Sequence, residues 1–189
     1  MKYFVPSISL FFLLFPLISL AQGNTTSTNS AALLSKMDPE KSIIKNTENS
    51  KNHRTLSAVI KAADLEETLG YDGPFTVFAP SDKAFEEFSL RKALHLLDSE
   101  NKEDLKALLT YHIIAGKFTT SQILRAMCRG NGRATFTTVQ GKEIVVTMEG
   151  IDIVLTDDFG NSAKITTADA SQCNGVIHEI DSVIVPHQM

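Results

Sequence analysis

GPFTVFAPSDKAFEEF, Gly73 to Phe88, places a strand, a tight bend and a helix start in consecutive residues. Phe75, Thr76, Val77 and Phe78 are aromatic or β-branched and predict a short buried strand. Pro80 has no amide to give to a continuing ladder and turns Ala79 away from helical geometry, so the strand is expected to stop there. Ser81 or Asp82 then offers a side-chain oxygen to an orphan amide at the new helix start, and Ala84, Phe85 and Phe88 form its apolar face. Asp82 is expected to be structural, its carboxylate favoured by the first-turn amides and the helix dipole.

Upstream, residues 1 to 21 carry Lys2 as their one charge and an apolar run from Ile8 to Leu20. Ser19-Leu20-Ala21 presents small residues where a signal peptidase reads, which predicts a signal peptide at 1–21 and a mature chain beginning at Gln22. The competing reading, a membrane anchor, needs about 20 apolar residues, and this run is shorter and holds Pro16. Residues 22–37, rich in Asn, Thr and Ser, read as a flexible linker, with a glycosylation sequon at Asn24-Thr25-Thr26. Loss of Lys2 takes the formal net charge from −4 to −5. That mildly acidic balance argues against nucleic acid as a partner.

The folded domain is expected over 38–189, opening with Asp38 as N-cap and Pro39 at the first helical position. Ile43, Ile44 and Thr47 face inward on that helix, and Leu56, Val59, Ile60 and Ala63 mark a second. Asp64 is expected to cap a short continuation, Leu65 to Leu69, that stops at Gly70. Beyond Phe88, Leu90, Leu94 and Leu97 suggest another helix, with Ser99 or Asn101 capping the next, on which Leu105, Leu108, Leu109 and His112 share a face. Thr119 or Thr120 caps a last helix that turns Ile123, Leu124 and Met127 inward. From Ala134 the period becomes that of strands: Thr135–Thr138, Lys142–Met148, Ile151–Thr156, Ala163–Thr167 and Val176–Val185, with Asn174-Gly175 as a tight turn. Helices first and strands afterwards indicate α+β, the N-terminal helices packed on a mostly antiparallel sheet that the Phe75–Phe78 strand joins. His178, Glu179 and Asp181 fall in the polar middle of the last strand. A strand crossing between packed layers would place them so, and His178 and Asp181 are read as structural, the alternative being an acid-base site made by a buried histidine beside two carboxylates.

Three of these segments together carry a resemblance. Gly73–Phe88, the Tyr111-His112 pair and Asn174-Gly-Val-Ile-His-Glu-Ile-Asp-Ser-Val-Ile-Val-Pro186 match, in order, the signature segments of the fasciclin (FAS1) domain family. The likeness covers about Lys41 to His187. It implies a FAS1-like α+β wedge and a role in adhesion or in binding partners at the cell surface or matrix, proteins or polysaccharides, without shared catalysis. In animal fasciclin-like proteins the tyrosine-histidine segment is associated with receptor (integrin) binding. The match here at Leu108, Leu109, Tyr111, His112 and Ile113 makes direct contact through it one reading. The other is that His112 lies on the buried helix face and Tyr111 covers the core edge. Some members bind pigments in an apolar cleft, so a carrier of an apolar small molecule is the alternative function.

The sequence holds no GxSxG, HExxH, GxxxxGK[ST] or CxxC, so no nucleophile, zinc or phosphate machinery is indicated, and neither enzyme activity nor a cofactor is expected. Asp157-Asp158-Phe159-Gly160-Asn161 lacks the alternating ligands and closing glutamate of a calcium loop. The histidines, at 53, 95, 112, 178 and 187, never recur at helical ligand spacing. Cys128 and Cys173, each beside glycine at a loop edge, are expected to pair in an exported chain, the alternative being two unpaired thiols.

Overall fold

The computed structural model describes residues 37–88 and 102–185. In chain order these form α1 (Ile43–Asn49), α2 (Arg54–Ala62), α3 (Glu66–Tyr71), β1 (Phe75–Pro80), α4 (Asp82–Phe88), α5 (Lys102–Tyr111), β2 (Ile113–Ala115) and α6 (Thr120–Arg129), then β3 (Arg133–Thr137), β4 (Glu143–Glu149), β5 (Asp152–Thr156), β6 (Ser162–Gln172) and β7 (Gly175–Ile180). The signal-peptide and linker segments lie outside the described residues, as do the sequon and the helix expected around Leu90, Leu94 and Leu97.

One sheet runs in the order β2-β1-β7-β6-β5-β4-β3. Its pairings are antiparallel except β1 with β7, which run parallel from Phe75 opposite Gly175 to Pro80 opposite Ile180. An isolated bridge between Ile114 and Thr138 brings the two ends of the sheet together, so it curls toward closure.

A parallel pair is stable when both of its faces are covered, which explains the near-continuous apolar run of β1. Val77, Ala79 and Ile177 face one core, built with Leu56, Ile60, Leu69 and Leu108 of the helices. Phe78 and Ile180 face the other, which holds Ile144, Val146 and Leu155 of the curled sheet and Ile123 and Met127 of α6. Gly175 sits where the strands come closest: an added Cβ would lie 2.1 Å from the Phe75 carbonyl oxygen. The last strand ends at Ile180, shorter than the periodicity suggests, and the buried run Val183–Val185 continues beyond a bend at Asp181 and Ser182. β6 is longer than expected, because register shifts after Ile165 and Thr167 let it bend without ending.

Local chemistry departs from the simplest sequence reading at several starts and stops. Asp38 does not cap a helix. It closes a turn, accepting the Glu40 amide on Oδ1 and the Lys41 amide on its carbonyl, and α1 begins only after Ser42. The third helix runs through Gly70 to Tyr71, preceded by Asp64 in a left-handed conformation, φ 52°. β1 continues to Pro80, since the last ladder bond on that side comes from the Ser81 amide to the Ile180 carbonyl and needs none from proline. Asn174 ties the ends of two helices to the β6–β7 turn: its Oδ1 accepts the Ile43 amide, and its Nδ2 donates to the Leu69 and Asp72 carbonyls.

Candidate functional site

Tyr111 ends α5 and His112 follows it, and both are buried, at 0% and 2% exposure. The Tyr111 hydroxyl donates to the Glu143 carbonyl at 3.0 Å. Burial, and behind it the charges of Asp158 and Asp157, push the phenol well above its ordinary range. His112 Nε2 accepts the Ile184 amide at 3.3 Å, which fixes the proton on Nδ1, and Nδ1 donates to the Leu108 carbonyl at 2.8 Å. Burial lowers its pKa to about 4, against smaller upward effects of the Leu108 hydrogen bond and Asp157. A neutral imidazole satisfied on both nitrogens is what a buried site requires. The pair thus acts as a strut between α5, the start of β4 and the chain after β7.

The surface above this strut is made by two turns. Val139 donates its amide to Ile113 at 2.7 Å and Gln140 donates to Thr110 at 3.3 Å, which seats the β3–β4 turn on the Tyr-His segment. Asp157 shapes the β5–β6 turn, its Oδ1 accepting the amides of Phe159 and Asn161 and its Oδ2 the amide of Val185. Val139 and Phe159, 44% and 56% exposed, stand on those turns.

Asp82 makes its hydrogen bonds to a helix other than its own. Ser81 Oγ accepts the Ala84 amide at the start of α4, while Asp82 Oδ1 accepts the Thr55 amide at 2.8 Å, in the first turn of α2. Arg54 Nε adds a contact to Oδ2 at 3.3 Å. Burial works to raise the Asp82 pKa, but the hydrogen bonds from Thr55 and Arg54 outweigh it and hold the carboxyl below its usual range.

Beside this junction lies a cavity of about 600 Å³ whose lining includes Lys51, Asp82, Thr166, Glu179, Asp181 and Ser182. Glu179, 3% exposed, accepts the Thr166 hydroxyl on Oε1 at 3.0 Å and places Oε2 3.5 Å from His53 Nε2. His53 is wholly buried at the start of α2, with Nδ1 2.8 Å from the Ser50 hydroxyl. Burial lowers its pKa while Glu179 and Asp82 act in the opposite sense. His53 could not be picked out from the sequence, since its partner lies far along the chain; the one available signal was a carboxylate, Glu179, within an apolar strand. Asp181 stands at the bend after β7, exposed, and accepts the Lys164 amide on Oδ1. The charged groups in this lining give no support to an apolar cleft of the kind a small-molecule carrier needs.

His178, the other sequence-predicted structural residue, is buried in β7 and stacked on Phe78 at 5.7 Å between ring centroids. Cys128 and Cys173 are both exposed and free, so the expected disulfide is not formed. Cys128 sits at the end of α6, whereas Cys173 lies in the β6–β7 turn, its amide donated to Lys41 ahead of α1. Two loop-edge cysteines beside glycine thus belong to different parts of the fold. Among the described residues, His, Cys, Asp and Glu form no group able to hold a metal ion, and no helix is long and apolar enough to cross a membrane.

Comparison with known proteins agrees with this geometry. The sequence model of the fasciclin domain matches residues 51–186. Protein sll1483 of Synechocystis sp. is 35% identical over 173 residues, covering 90% of this chain and 88% of its own length. Human periostin is 34% identical over 133 residues, 70% of this chain and 14% of periostin. The immunogenic protein MPB70 of Mycobacterium bovis is 30% identical over 142 residues, 70% of this chain and 62% of that protein. A solved FAS1 domain pair from the insect cell adhesion molecule fasciclin I superposes with a TM-score of 0.69 at 19% identity, over 78% of this chain and 51% of that one. From signature segments to sheet order, the chain belongs to the fasciclin domain family.

Proposed function

We propose that this chain is an exported, non-enzymatic interaction module that holds protein or polysaccharide partners at a cell surface or in a matrix. The relationship to a domain pair from a cell adhesion molecule supports that class of role. The observation that carries the reading is the division of labour at one end of the sheet. Tyr111 and His112 are consumed by internal hydrogen bonds, while Val139 and Phe159 on the turns seated over them stand in solvent. The Tyr-His segment contributes to binding by building that surface, and the turns make the contact. Exposed apolar side chains on rigid turns are suited to partner contact, because little conformational entropy is lost when they are covered.

The test is adhesion of protein-coated beads to cells of the source organism, with Val139→Ser and Phe159→Ser compared with the parent protein at equal folded fraction. A fall in adhesion with unchanged thermal unfolding supports the reading. Full adhesion by the double variant overturns it. Export is tested separately: N-terminal sequencing of the mature protein should begin at Gln22, and retention of Met1 would refute cleavage.

A further inference from the structure

The stretch ahead of α6 is held by three strands at once. Thr76 of β1 accepts the Phe118 amide on its hydroxyl at 2.8 Å and donates that hydroxyl to the Gly116 carbonyl at 2.7 Å. His178 of β7 presents Nε2 to the Phe118 carbonyl at 2.9 Å, which makes Nε2 the protonated nitrogen. Its Nδ1 then accepts the Asp169 amide of β6 at 3.2 Å. Asp169 is exposed, stands at φ 62° within the bulged part of β6, and its Oδ1 accepts the Thr120 amide, the first of α6, at 2.8 Å. A non-glycine residue in the left-handed region is uncommon within a strand. Here that conformation lets one residue present its amide to His178 and its carboxylate to α6.

We propose that His178 and Asp169 form a proton-operated latch on α6: protonation of His178 breaks the Asp169 amide contact, draws the Asp169 carboxylate from Thr120 to the imidazolium, and frees the start of the helix. The chemistry follows from the tautomer. With Nε2–H committed to Phe118, a second proton can enter only at Nδ1, where the Asp169 N–H now points. Two N–H groups cannot share that contact, and the nearest compensating charge is the carboxylate of the same residue. Among the described residues, the charge whose field reaches His178 is that of Asp169. β1 faces the ring with Phe78, the stretch ahead of α6 with the Phe118 carbonyl, and Glu179, next along β7, is turned toward His53. Burial holds His178 below the ordinary histidine range, while the Phe118 hydrogen bond and Asp169 act to raise it, so the latch opens only on acidification below that range. Release of α6 would loosen Ile123 and Met127, which close one side of the sheet core.

The experiment is native-state hydrogen exchange of the full chain from about pH 7.5 to about pH 4.5, corrected for intrinsic rates, together with an NMR titration of the His178 ring. The expected result is that α6 amides lose about tenfold more protection than those of β4 and β5, with the Thr120 amide shift moving at the same midpoint as the His178 ring. His178→Gln keeps one acceptor and one donor but cannot titrate, and should abolish the difference. Asp169→Asn keeps an acceptor for Thr120 but removes the charge, and should weaken it. Parallel loss of protection in β4, β5 and α6 would overturn the latch, as would an unchanged response in His178→Gln. If that variant fails to fold, the wild-type titration decides alone: a Thr120 amide that does not follow the His178 ring refutes the proposal.

Discussion

Asp82 accepts the backbone amide of Thr55 across 2.8 Å, so the carboxylate that opens α4 caps α2, a helix begun 28 residues earlier. The position of His53 ahead of α2 supplies no side-chain cap of its own. Asp82→Ala should therefore cost about 1 kcal/mol of stability, and the lost exchange protection should appear at the start of α2. Loss confined to α4 would contradict the assignment. Because the folded carboxyl lies below its unfolded value, its contribution is present above the ordinary aspartate range and disappears as pH falls through the folded pKa. Asp82→Ala should lack that part of the acid dependence.

His112→Ala removes the acceptor of the Ile184 amide and should destabilise by about 1 to 3 kcal/mol. Adhesion should fall only with the folded fraction; a variant of unchanged melting temperature that no longer adheres would make His112 a contact residue. Tyr111→Phe deletes one hydrogen bond and should cost about 1 kcal/mol, whereas Tyr111→Ala opens a cavity and should cost roughly 3 to 5 kcal/mol.

Acidification should expose the same histidine thermodynamically. With a folded pKa of about 4 against an ordinary 6.5, the unfolded chain binds the proton first, so stability is full above pH 6.5 and declines as pH falls toward 4. The loss is on the order of 3 kcal/mol. Denaturant unfolding at a series of pH values should show that slope diminished in His112→Ala, and an equal slope in both proteins would exclude His112 as its source.

Asn174 should tolerate no replacement. Asn174→Asp keeps the acceptor for Ile43 but turns carboxylate oxygens on the Leu69 and Asp72 carbonyls, and should destabilise more than His112→Ala. Chemical denaturation of the two variants side by side measures this, and an Asn174→Asp protein as stable as the parent would refute the clamp.

Both thiols should react with a thiol reagent in the folded, unreduced protein, since both cysteines are exposed and free. Reaction only after reduction would restore the disulfide that the sequence suggested.

Patterns that depend on neighbours along the chain were legible in advance. Leu56, Val59, Ile60 and Ala63 are buried as their spacing requires, and Phe75–Phe78 does join the sheet. The cap at Thr119 also follows from local chemistry, whereas the tight turn expected at Asn174-Gly175 falls one residue earlier, at Cys173-Asn174, with Gly175 already paired in β7. What escaped were choices settled between distant residues. Nothing in Ser81-Asp82 reveals that the serine serves its own helix and the aspartate another, and nothing near His53 announces Glu179. The cysteines failed for the same reason: loop-edge chemistry says that a bond is sterically easy and is silent on which loops meet.

The parallel pairing of β1 with β7 has a consequence for how the domain comes into being. Phe75 meets Gly175, so the strand that opens the motif finds its partner 175 − 75 = 100 residues later. Closing so long a loop is entropically slow and is repaid only when both cores form around the pair. During synthesis the helical half must wait without its central neighbour until β7 has left the ribosome. Loss of the chain beyond Cys173 would remove more than an edge: it would leave β1 with its short partner β2 alone, and a core that cannot close.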